Sequence, residues 1–332
     1  PMSTTTVRPP IAYYGSKVRL AAQIAALLPP HTHYVEPFAG SLAVLFAKQP
    51  SRLETVNDLD GDLMTFWRVL RDRPDALVRV CALTPHSRAE RELARHRPDD
   101  LDELERARRV WVCLTQGRTG TLRTTGWRHD TADTAHISMP GRLAGYVSRL
   151  EAAAARLRRV SLECRPALDV IAAYGKRRRT LLYVDPPYLA TTRTGTNYRH
   201  EMHSADEHRA LAEALHDCAA TVVISGYACD LYDRELYTGW HRYELPAATS
   251  QGGTWQHRTE VLWSNRPLNT DSGLFTAAEF RNNRPARCNE TRCAAVDCQK
   301  VIRQPATGRR RAYCSTACRV RAHRRRALVT RG

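Results

Sequence analysis

The apolar residues of this chain follow two alternating patterns. Short apolar runs that stop at acids, prolines or glycines predict buried strands, and longer stretches with apolar residues three or four positions apart predict amphipathic helices. This alternation predicts an α/β fold on a mostly parallel, doubly wound sheet. The predicted strands are residues 33–36, 53–60, 160–164, 181–184, 221–225 and 259–263, and the predicted helices are residues 11–28, 42–48, 70–83, 101–114, 143–157 and 204–215.

Segments without either pattern divide the chain. Residues 190–203 are polar, and Gly252-Gly253 precede Thr254-Trp255, so we interpret both stretches as loops at the cleft. After residue 266 the pattern decays into polar and turn residues, which predicts a linker. The predicted domains are a sheet domain from residues 10–70 and 160–266, a mainly helical insertion over 71–159, the linker over 267–287 and a small module over 288–328.

Composition predicts a location and a class of partner. The 332 residues are 42% hydrophobic, enough for a sizeable core, but no run of about 18 apolar residues occurs. The ten cysteines are scattered and no signal-peptide pattern is present, so we expect a cytoplasmic protein with reduced thiols and no membrane partner. Of the net charge of +17, residues 281–332 carry about +13, from fifteen Lys or Arg and two acids. This favours a nucleic-acid partner, although a tail that only aids solubility has the same composition.

The strand over residues 181–184 ends at the most informative motif of the chain. Asp185, Pro186, Pro187 and Tyr188 place a carboxylate, a rigid turn and an aromatic ring at the strand's carboxyl end. Asp185 and the Pro186 carbonyl are predicted to accept hydrogen bonds from the exocyclic amine of a nucleobase, while Tyr188 stacks on the base. A core strand followed by a Pro-Pro turn and an incidental acid is the alternative interpretation.

Two further motifs predict a site for a cofactor. Residues 36–41 form a small-residue turn between a strand and a helix, the unit that holds cofactors in doubly wound sheets. About 20 residues later, Asp58 follows a second strand, where an acid commonly accepts hydrogen bonds from ribose hydroxyls. Gly15, Ser16 and Lys17 could contact an anionic group, although a simple helix start explains them as well.

The four motifs together resemble the D12 class of DNA adenine methyltransferases. The resemblance rests on residues 13–17, 36–40, 57–58 and 185–188 and covers roughly residues 10–266. It implies a Rossmann-like methyltransferase sheet, S-adenosylmethionine as the donor and double-stranded DNA as the partner. It also implies that Asp185 serves donor and target amine, that Asp58 holds the ribose, and that the remaining donor-binding residues are Tyr13, Gly15, Lys17, Glu36, Phe38 and Gly40.

One position departs from the family pattern. Leu42 stands where the family usually has a second glycine, and we expect its side chain to add bulk where the backbone approaches the methionine moiety. Leu42 therefore supports an alternative class, a DNA-binding protein whose methyltransferase fold is weakly active or inactive. The intact residues 185–188 favour the active enzyme. Within the enzyme class, cytosine, RNA adenine or a protein amide are alternative acceptors.

The insertion over residues 71–159 corresponds by resemblance to the target-recognition region. Residues 115–128 mix glycines, arginines and hydroxyls with Trp127, a composition that suits contact with phosphates and bases. Arg118, Arg123 and Arg128 are the candidates for DNA contact. A solvated connection is the other interpretation of this segment.

The tail combines cysteines with cations. Two close cysteine pairs separated by fifteen residues suit a structural Zn²⁺ site, which would give a module of this size a reason to fold. Chance cysteines in a basic tail are the alternative. The predicted ligands are Cys293, Cys298, Cys314 and Cys318, with Cys288 or His323 as substitutes, and the predicted phosphate contacts are Arg319, Arg321, Arg324 and Arg325. A cognate restriction nuclease is a further candidate partner; the oligomeric state and the recognised DNA sequence are open.

Overall fold

The computed structural model describes residues 7–130, 137–189, 202, 204–251, 254–270, 290–292, 298, 301–303, 315 and 318. The chain divides into two compact units, Pro1–Asn282 and Asn283–Gly332. Among the described residues, no helix has both the length and the apolar character needed to cross a bilayer.

The larger unit is built on a seven-stranded sheet of order β3-β2-β1-β4-β5-β7-β6. β1 to β5 run parallel, whereas β7 is antiparallel to both β5 and β6. The order reverses between β1 and β4, which is where doubly wound sheets bind ligands. The strands are β1 His33–Glu36, β2 Leu53–Asn57, β3 Ser161–Glu163, β4 Thr180–Val184, β5 Thr221–Tyr227, β6 His241–Gln251 and β7 Thr254–Ser264.

The helices pack on both faces of the sheet. Successive strand residues belong to different hydrophobic clusters: Tyr34 and Tyr183 join one, and Val35 and Val184 join the other. This alternation follows from the two-residue period of a strand. The helices are α1 Ala21–Leu27, α2 Ala43–Ala47, α3 Gly61–Asp72, α4 Pro74–Ala82, α5 Arg88–Leu93, α6 Glu103–Gln116, α7 Met139–Val147, α8 Leu150–Leu157, α9 Ala167–Tyr174 and α10 Ala205–His216, with a π-helical segment at Leu231–Leu236.

Local sequence signals account for several helix boundaries. Asp60 accepts hydrogen bonds from the backbone of Asp62 and Leu63 and thereby begins α3. Ser204 and Glu207 form a reciprocal capping box that begins α10. The α/β fold class and the predicted strands are confirmed, with each strand found within a few residues of its expected bounds.

Several element predictions were wrong in part. Residues 70–83 contain the end of α3 and the whole of α4, and residues 143–157 contain most of α7 and the whole of α8. The helix predicted over residues 11–28 begins only at Ala21, because residues 13–20 form turns against the crevice described below. β6 was not predicted: it is an edge strand, contains Pro246, and pairs only with β7. Thr254 and Trp255, interpreted as loop, belong to β7, while Gly252-Gly253 and most of residues 190–203 lie outside the described residues.

The smaller unit contains one described sheet. β8 (Glu290–Arg292) and β9 (Val301–Arg303) pair antiparallel, with Thr291 opposite Ile302. Cys298 lies in the connection between these strands, and the backbone N–H of Cys318 donates to Ser315 Oγ at 3.3 Å.

Candidate active site

A crevice of about 410 Å³ opens at the carboxyl ends of β1, β2 and β4. The residues that line it come from the loop before α1, the end of β1 with the turn after it and the start of α2, the end of β2 and the residues after it, the start of α9, the end of β4 and the residues after it, and Met202 with α10. Sheet order explains this convergence, because the chain leaves β1 in one direction and β4 in the other and leaves space between them. The lining includes the predicted residues Tyr13, Gly15, Lys17, Glu36, Phe38, Gly40, Asp58, Asp185 and Pro187.

Glycine backbone geometry brings two loops together at one wall of the crevice. Gly40 has φ +46°, and a Cβ there would lie 3.1 Å from Cε1 of the Tyr13 ring. The two loops are also joined by a hydrogen bond of 2.6 Å between Ser16 Oγ and Ser41 Oγ. The close approach of Tyr13 therefore depends on the absence of a side chain at Gly40.

Glu36, at the end of β1, combines a structural contact with a place in the crevice wall. Its Oε1 accepts hydrogen bonds from Tyr34 Oη at 2.5 Å and from the Leu45 backbone N–H at 3.0 Å. Burial raises the pKa of this carboxyl to about 8, although the bonds from Tyr34 and Leu45 oppose the shift. Glu36 thus holds the start of α2 against β1.

Asp58 follows β2 and braces the turn after β1. Its Oδ2 accepts from the Gly40 N–H at 3.0 Å and its Oδ1 from the Asp60 N–H at 3.1 Å. The neighbouring Asn57 is fully buried and bonds the backbone of Pro37 and Arg165, which ties the turns after β1 and β3. Asp58 is half-buried at the crevice wall.

We expected the side chain of Leu42 at the crevice wall, but Leu42 is not among the residues that line the crevice. Leu42 has φ 57°, the left-handed conformation that glycine adopts readily, and it lies immediately before α2. Its side chain is fully buried in the main hydrophobic cluster, whereas Ser41 and Ala43 on either side line the crevice. The leucine keeps the backbone conformation of a glycine and directs its bulk into the core.

Asp185 lies at the crevice beside β4 and is surrounded by hydrogen-bond donors. Lys17 Nζ is 2.7 Å from Oδ1 and 2.8 Å from Oδ2, and Ser225 Oγ donates to Oδ1 at 2.9 Å. The Lys17 and Asp185 side chains are only 7% and 20% exposed, so water screens this pair little. Burial lowers the pKa of Lys17, but its carboxylate neighbours outweigh that effect and the net shift is upward, so the ammonium stays charged.

Tyr188 lies beside Asp185 and is not among the residues that line the crevice. Its hydroxyl donates to Glu260 Oε1 at 2.5 Å and lies 3.3 Å from Asp185 Oδ1. Lys17 Nζ is 4.8 Å from the centroid of the Tyr188 ring, and Tyr227 packs edge-on against that ring at 4.7 Å between centroids. A shallow depression beside Tyr188 is lined by Tyr227, Gly226 and Tyr232.

Sequence reasoning missed two residues that contact Asp185 or Tyr188. Ser225 on β5 and Glu260 on β7 had been interpreted only as strand residues, yet both contact the residues of the 185–188 motif. Glu260 carries a usable signal, since it is a single acid in an otherwise apolar buried strand end. His208 of α10 is fully buried and is hydrogen-bonded to the Tyr232 hydroxyl at 2.8 Å.

The predicted recognition loop is a hairpin. Gly117 bridges Trp127 in antiparallel fashion, and the Arg118 N–H donates to Gly126 O at 3.0 Å. Trp127 stacks on His86 at 4.5 Å and on His129 at 5.2 Å, which fixes the base of the hairpin. Arg118 and Arg123 are exposed, and Arg128 is half-buried.

The tail predictions lie mostly outside the described residues. Cys293, Cys314 and the candidate phosphate contacts Arg319, Arg321, Arg324 and Arg325 are not among them. Cys298 is half-buried and Cys318 is buried. Within the described residues, no three His, Cys, Asp or Glu side chains form a group that could hold a metal ion.

The strand order and the crevice at the switch point define a doubly wound, Rossmann-like α/β domain that binds a ligand at the carboxyl ends of its strands. Residues 13–249 match the family described as D12 class N6 adenine-specific DNA methyltransferase. The chain belongs to this family. It is therefore an S-adenosylmethionine-dependent enzyme that methylates adenine in DNA.

Similar proteins include a curated enzyme and two solved structures. The Type II methyltransferase M1.LlaDCHI of Lactococcus lactis subsp. cremoris is 25% identical over 277 residues, which is 78% of this chain and 95% of that protein. The rRNA methyltransferase aviRa from Streptomyces viridochromogenes has a TM-score of 0.33 at 16% identity, covering 76% of this chain and 86% of that one. A SAM-dependent methyltransferase from Agrobacterium tumefaciens has a TM-score of 0.32 at 10% identity, covering 75% and 61%.

Proposed function

We propose that Asp185 is the residue that activates the target amine and that the crevice beside it holds the methyl donor. The observation that carries this proposal is the position of Asp185, which lines the crevice and also contacts Tyr188. A carboxylate next to both the crevice and Tyr188 can contact a target amine held at Tyr188 while the methyl donor lies in the crevice. Pro186 and Pro187 are rigid because their rings restrict the backbone, so the turn that presents Asp185 is preorganised.

The residues of the crevice fit S-adenosylmethionine. Asp58 is placed to accept from ribose hydroxyls, the glycine at position 40 allows close backbone approach, and the acids of the wall favour a cation. When bound, S-adenosylmethionine supplies a methyl group on a positively charged sulfur. Tyr13, Gly15, Lys17 and Phe38 complete the proposed donor wall; Lys17 does so while it is paired with Asp185.

On the acceptor side, the chain's task is to make a poorly nucleophilic amine reactive. The lone pair of an exocyclic base amine is delocalised into the ring, and hydrogen-bond acceptors placed against its hydrogens draw the nitrogen toward a tetrahedral form. Asp185 and the Pro186 carbonyl are the proposed acceptors. Tyr188 is the proposed stacking surface for a base turned out of the duplex, worth roughly 1–3 kcal/mol.

The hairpin around Trp127 is the proposed DNA-recognition element. It presents the exposed Arg118 and Arg123 on a base fixed by the stacked rings of Trp127, His86 and His129. The backbone N–H of Tyr14 donates to Gly120 O at 2.8 Å, which connects this hairpin to the loop of the donor site. We therefore assign the DNA interface to the side of the molecule on which the crevice opens, with Arg128 as a supporting residue.

We propose a second DNA-binding role for the tail. Cys293, Cys298, Cys314 and Cys318 would hold a structural Zn²⁺ as four thiolates, and the short β8–β9 hairpin around Cys298 suits such a small module. The arginines at 319, 321, 324 and 325 would then contact phosphates, consistent with the charge of about +13 over residues 281–332. We further propose a cytoplasmic role in restriction-modification, with a nuclease that recognises the same DNA site.

Replacement of Asp185 by alanine tests the catalytic assignment. We expect Asp185→Ala to abolish tritium transfer from labelled S-adenosylmethionine to plasmid DNA while DNA affinity stays nearly unchanged, since Asp185 contacts Lys17, Ser225 and Tyr188 rather than the surface. Asp217→Ala, at an exposed residue after α10, is the matched control and should transfer at the wild-type rate. Equal turnover in the Asp185 variant would remove the assignment.

The modified base is identified in the same reaction. Mass analysis of nucleosides from the methylated plasmid should show N6-methyladenine and no methylated cytosine. Methylcytosine in its place would mean that the same acceptors serve cytosine's amine. Sequencing of the methylated positions then gives the recognition site.

A further inference from the structure

A buried acid on β7 faces the catalytic motif from across the sheet. Glu260 pairs in register with Tyr227 of β5, and its side chain is 5% exposed. Its Oε1 accepts from the Tyr188 hydroxyl at 2.5 Å and lies 3.7 Å from Lys17 Nζ. An isolated buried carboxylate is costly, so its retention beside a catalytic motif calls for an explanation.

The groups facing Glu260 come from every neighbouring element. Lys17 approaches from the loop before α1, Asp185 and Tyr188 from the segment after β4, and Tyr227 from β5. On β6 the residue in register is the apolar Leu245. If both acids are ionised, one ammonium serves two carboxylates, so Lys17 and the Tyr188 hydroxyl are shared between Asp185 and Glu260.

This sharing decides how strongly the Asp185 carboxylate can accept a hydrogen bond from a substrate. The Tyr188 hydroxyl lies 2.5 Å from Glu260 but 3.3 Å from Asp185, so Glu260 is its main acceptor. Lys17 Nζ already lies 2.7 and 2.8 Å from the two oxygens of Asp185 and 3.7 Å from Glu260, so loss of the charge at Glu260 would leave the ammonium more strongly attracted to Asp185. An uncharged Glu260 would also be a weaker acceptor for the Tyr188 hydroxyl. Both changes would strengthen the hold of these donors on Asp185 and compete with the incoming amine.

We propose that Glu260 is a positioning residue for methyl transfer, whose carboxylate holds the Tyr188 hydroxyl and part of the Lys17 charge away from Asp185. This inference rests on the proposed role of Asp185 as the amine acceptor. Glu260 itself contacts Tyr188 and Lys17 and acts through them. Its ionised form is the competent one, because only a carboxylate attracts the ammonium.

The ionisation of Glu260 falls in a range that can be measured. Burial raises the pKa of Glu260 to about 7, with Lys17 opposing the shift and Asp185 adding to it. The carboxylate is therefore lost as pH falls through about 7, and the transfer rate of the wild-type enzyme should fall with it. A glutamine at this position keeps an oxygen that accepts from Tyr188 but carries no charge at any pH.

The test is the pH profile of single-turnover transfer from labelled S-adenosylmethionine to plasmid DNA for wild type and Glu260→Gln. At pH 8 we expect the variant to be slower by on the order of 10- to 100-fold, the range for a misplaced catalytic group. Between pH 6 and 8 the variant should lack the wild-type decrease near pH 7. The rates are compared at saturating S-adenosylmethionine, because Glu260 also lies near Lys17 of the proposed donor wall and a change in donor affinity must not be counted as a change in the transfer step.

The control is Glu244→Gln on β6. Glu244 is half-buried, is bonded to Arg242 at 2.5 Å and lies opposite Val261, next to Glu260 along β7. This variant should keep both the rate and the pH dependence of wild type, and circular dichroism melting of both variants reports folding.

The outcomes separate the two proposals. A Glu260→Gln enzyme with the wild-type rate, or a slower one that keeps the decrease near pH 7, overturns the inference while the role of Asp185 stands. An Asp185→Ala enzyme that transfers as fast as wild type overturns the proposed role of Asp185 and removes the basis of the inference.

Discussion

Glu36 and Glu260 are both buried carboxyls at the ends of strands, and burial raises the pKa of each toward or above neutrality. They differ in their partners. Glu36 accepts from Tyr34 and from the backbone of Leu45, which are neutral donors, whereas Glu260 lies near the Lys17 ammonium. Glu36 is therefore suited to structural support in its protonated form, and Glu260 to a role that depends on charge.

The Glu36 pKa predicts a pH-dependent stability. The folded pKa of about 8 exceeds the ordinary value of 4.5, so the folded state binds the proton more tightly than the unfolded state does. The resulting stabilisation is complete below pH 4.5 and is lost as pH rises through 8. Glu36→Gln, which keeps an acceptor for Tyr34 and Leu45, should therefore gain stability relative to wild type between pH 5 and 8, by at most about 1.4 kcal/mol per pH unit.

Urea unfolding of the two proteins at pH 5, 6, 7 and 8 measures this difference. Other titrating groups cancel in the comparison because they are common to both chains. A stability difference that is constant with pH would mean that Glu36 does not hold a proton in the folded protein.

At the level of elements, the proposed recognition hairpin around Trp127 depends on backbone geometry at one position. Gly120 has φ +62°, and a Cβ there would lie 3.1 Å from the carbonyl carbon of Ala12. Gly120→Ala should destabilise the protein by at least about 1–2 kcal/mol, the cost of a left-handed backbone for an alanine. The same change should weaken binding of S-adenosylmethionine, because Gly120 O accepts from Tyr14 in the donor loop.

Gly145→Ala is the matched control for that prediction. Gly145 lies in α7, and a Cβ there meets nothing within 4 Å. Alanine should stabilise the helix by roughly 0.5–1 kcal/mol and leave donor binding unchanged. Thermal melting measures the stability of both variants, and calorimetry measures their binding of S-adenosylmethionine. Equal effects of the two substitutions would contradict the proposed link between the hairpin and the loop that contains Tyr14.

At the level of the whole molecule, charge is divided unevenly between the two units. The residues before 281 carry about +4 and those from 281 onward about +13. A chain truncated before Cys288 should bind plasmid DNA more weakly, with a shallower dependence of log K on log salt, because fewer phosphates are neutralised. Its affinity for S-adenosylmethionine should be unchanged, since the crevice is lined entirely by residues of the larger unit.

The same titrations test the proposed zinc. If Zn²⁺ organises the tail, elemental analysis of the full chain should find about one zinc per molecule, and none after truncation. A chelator should move the salt slope of the full chain toward that of the truncated one. Unchanged DNA binding on truncation would count against any nucleic-acid role for the tail.

The sequence alone determined the local features: strands that end close to Asp58 and Asp185, the helix that follows Ser204, and the motifs that line the crevice. These are short-range signals, because hydrophobic period, capping and turn preference act within a few residues. The same limit explains the missed edge strand β6, whose register is set by its pairing with β7 and not by a local pattern.

Only the tertiary structure decided what meets Asp185. Lys17 is 168 positions away along the chain, Ser225 is 40 away, and Glu260 reaches Tyr188 from 72 positions away. It also decided that Leu42 points into the core despite a backbone suited to glycine. The order of the strands brings these residues together, and that order follows from packing the whole sheet between its two layers of helices, which no single stretch of sequence specifies.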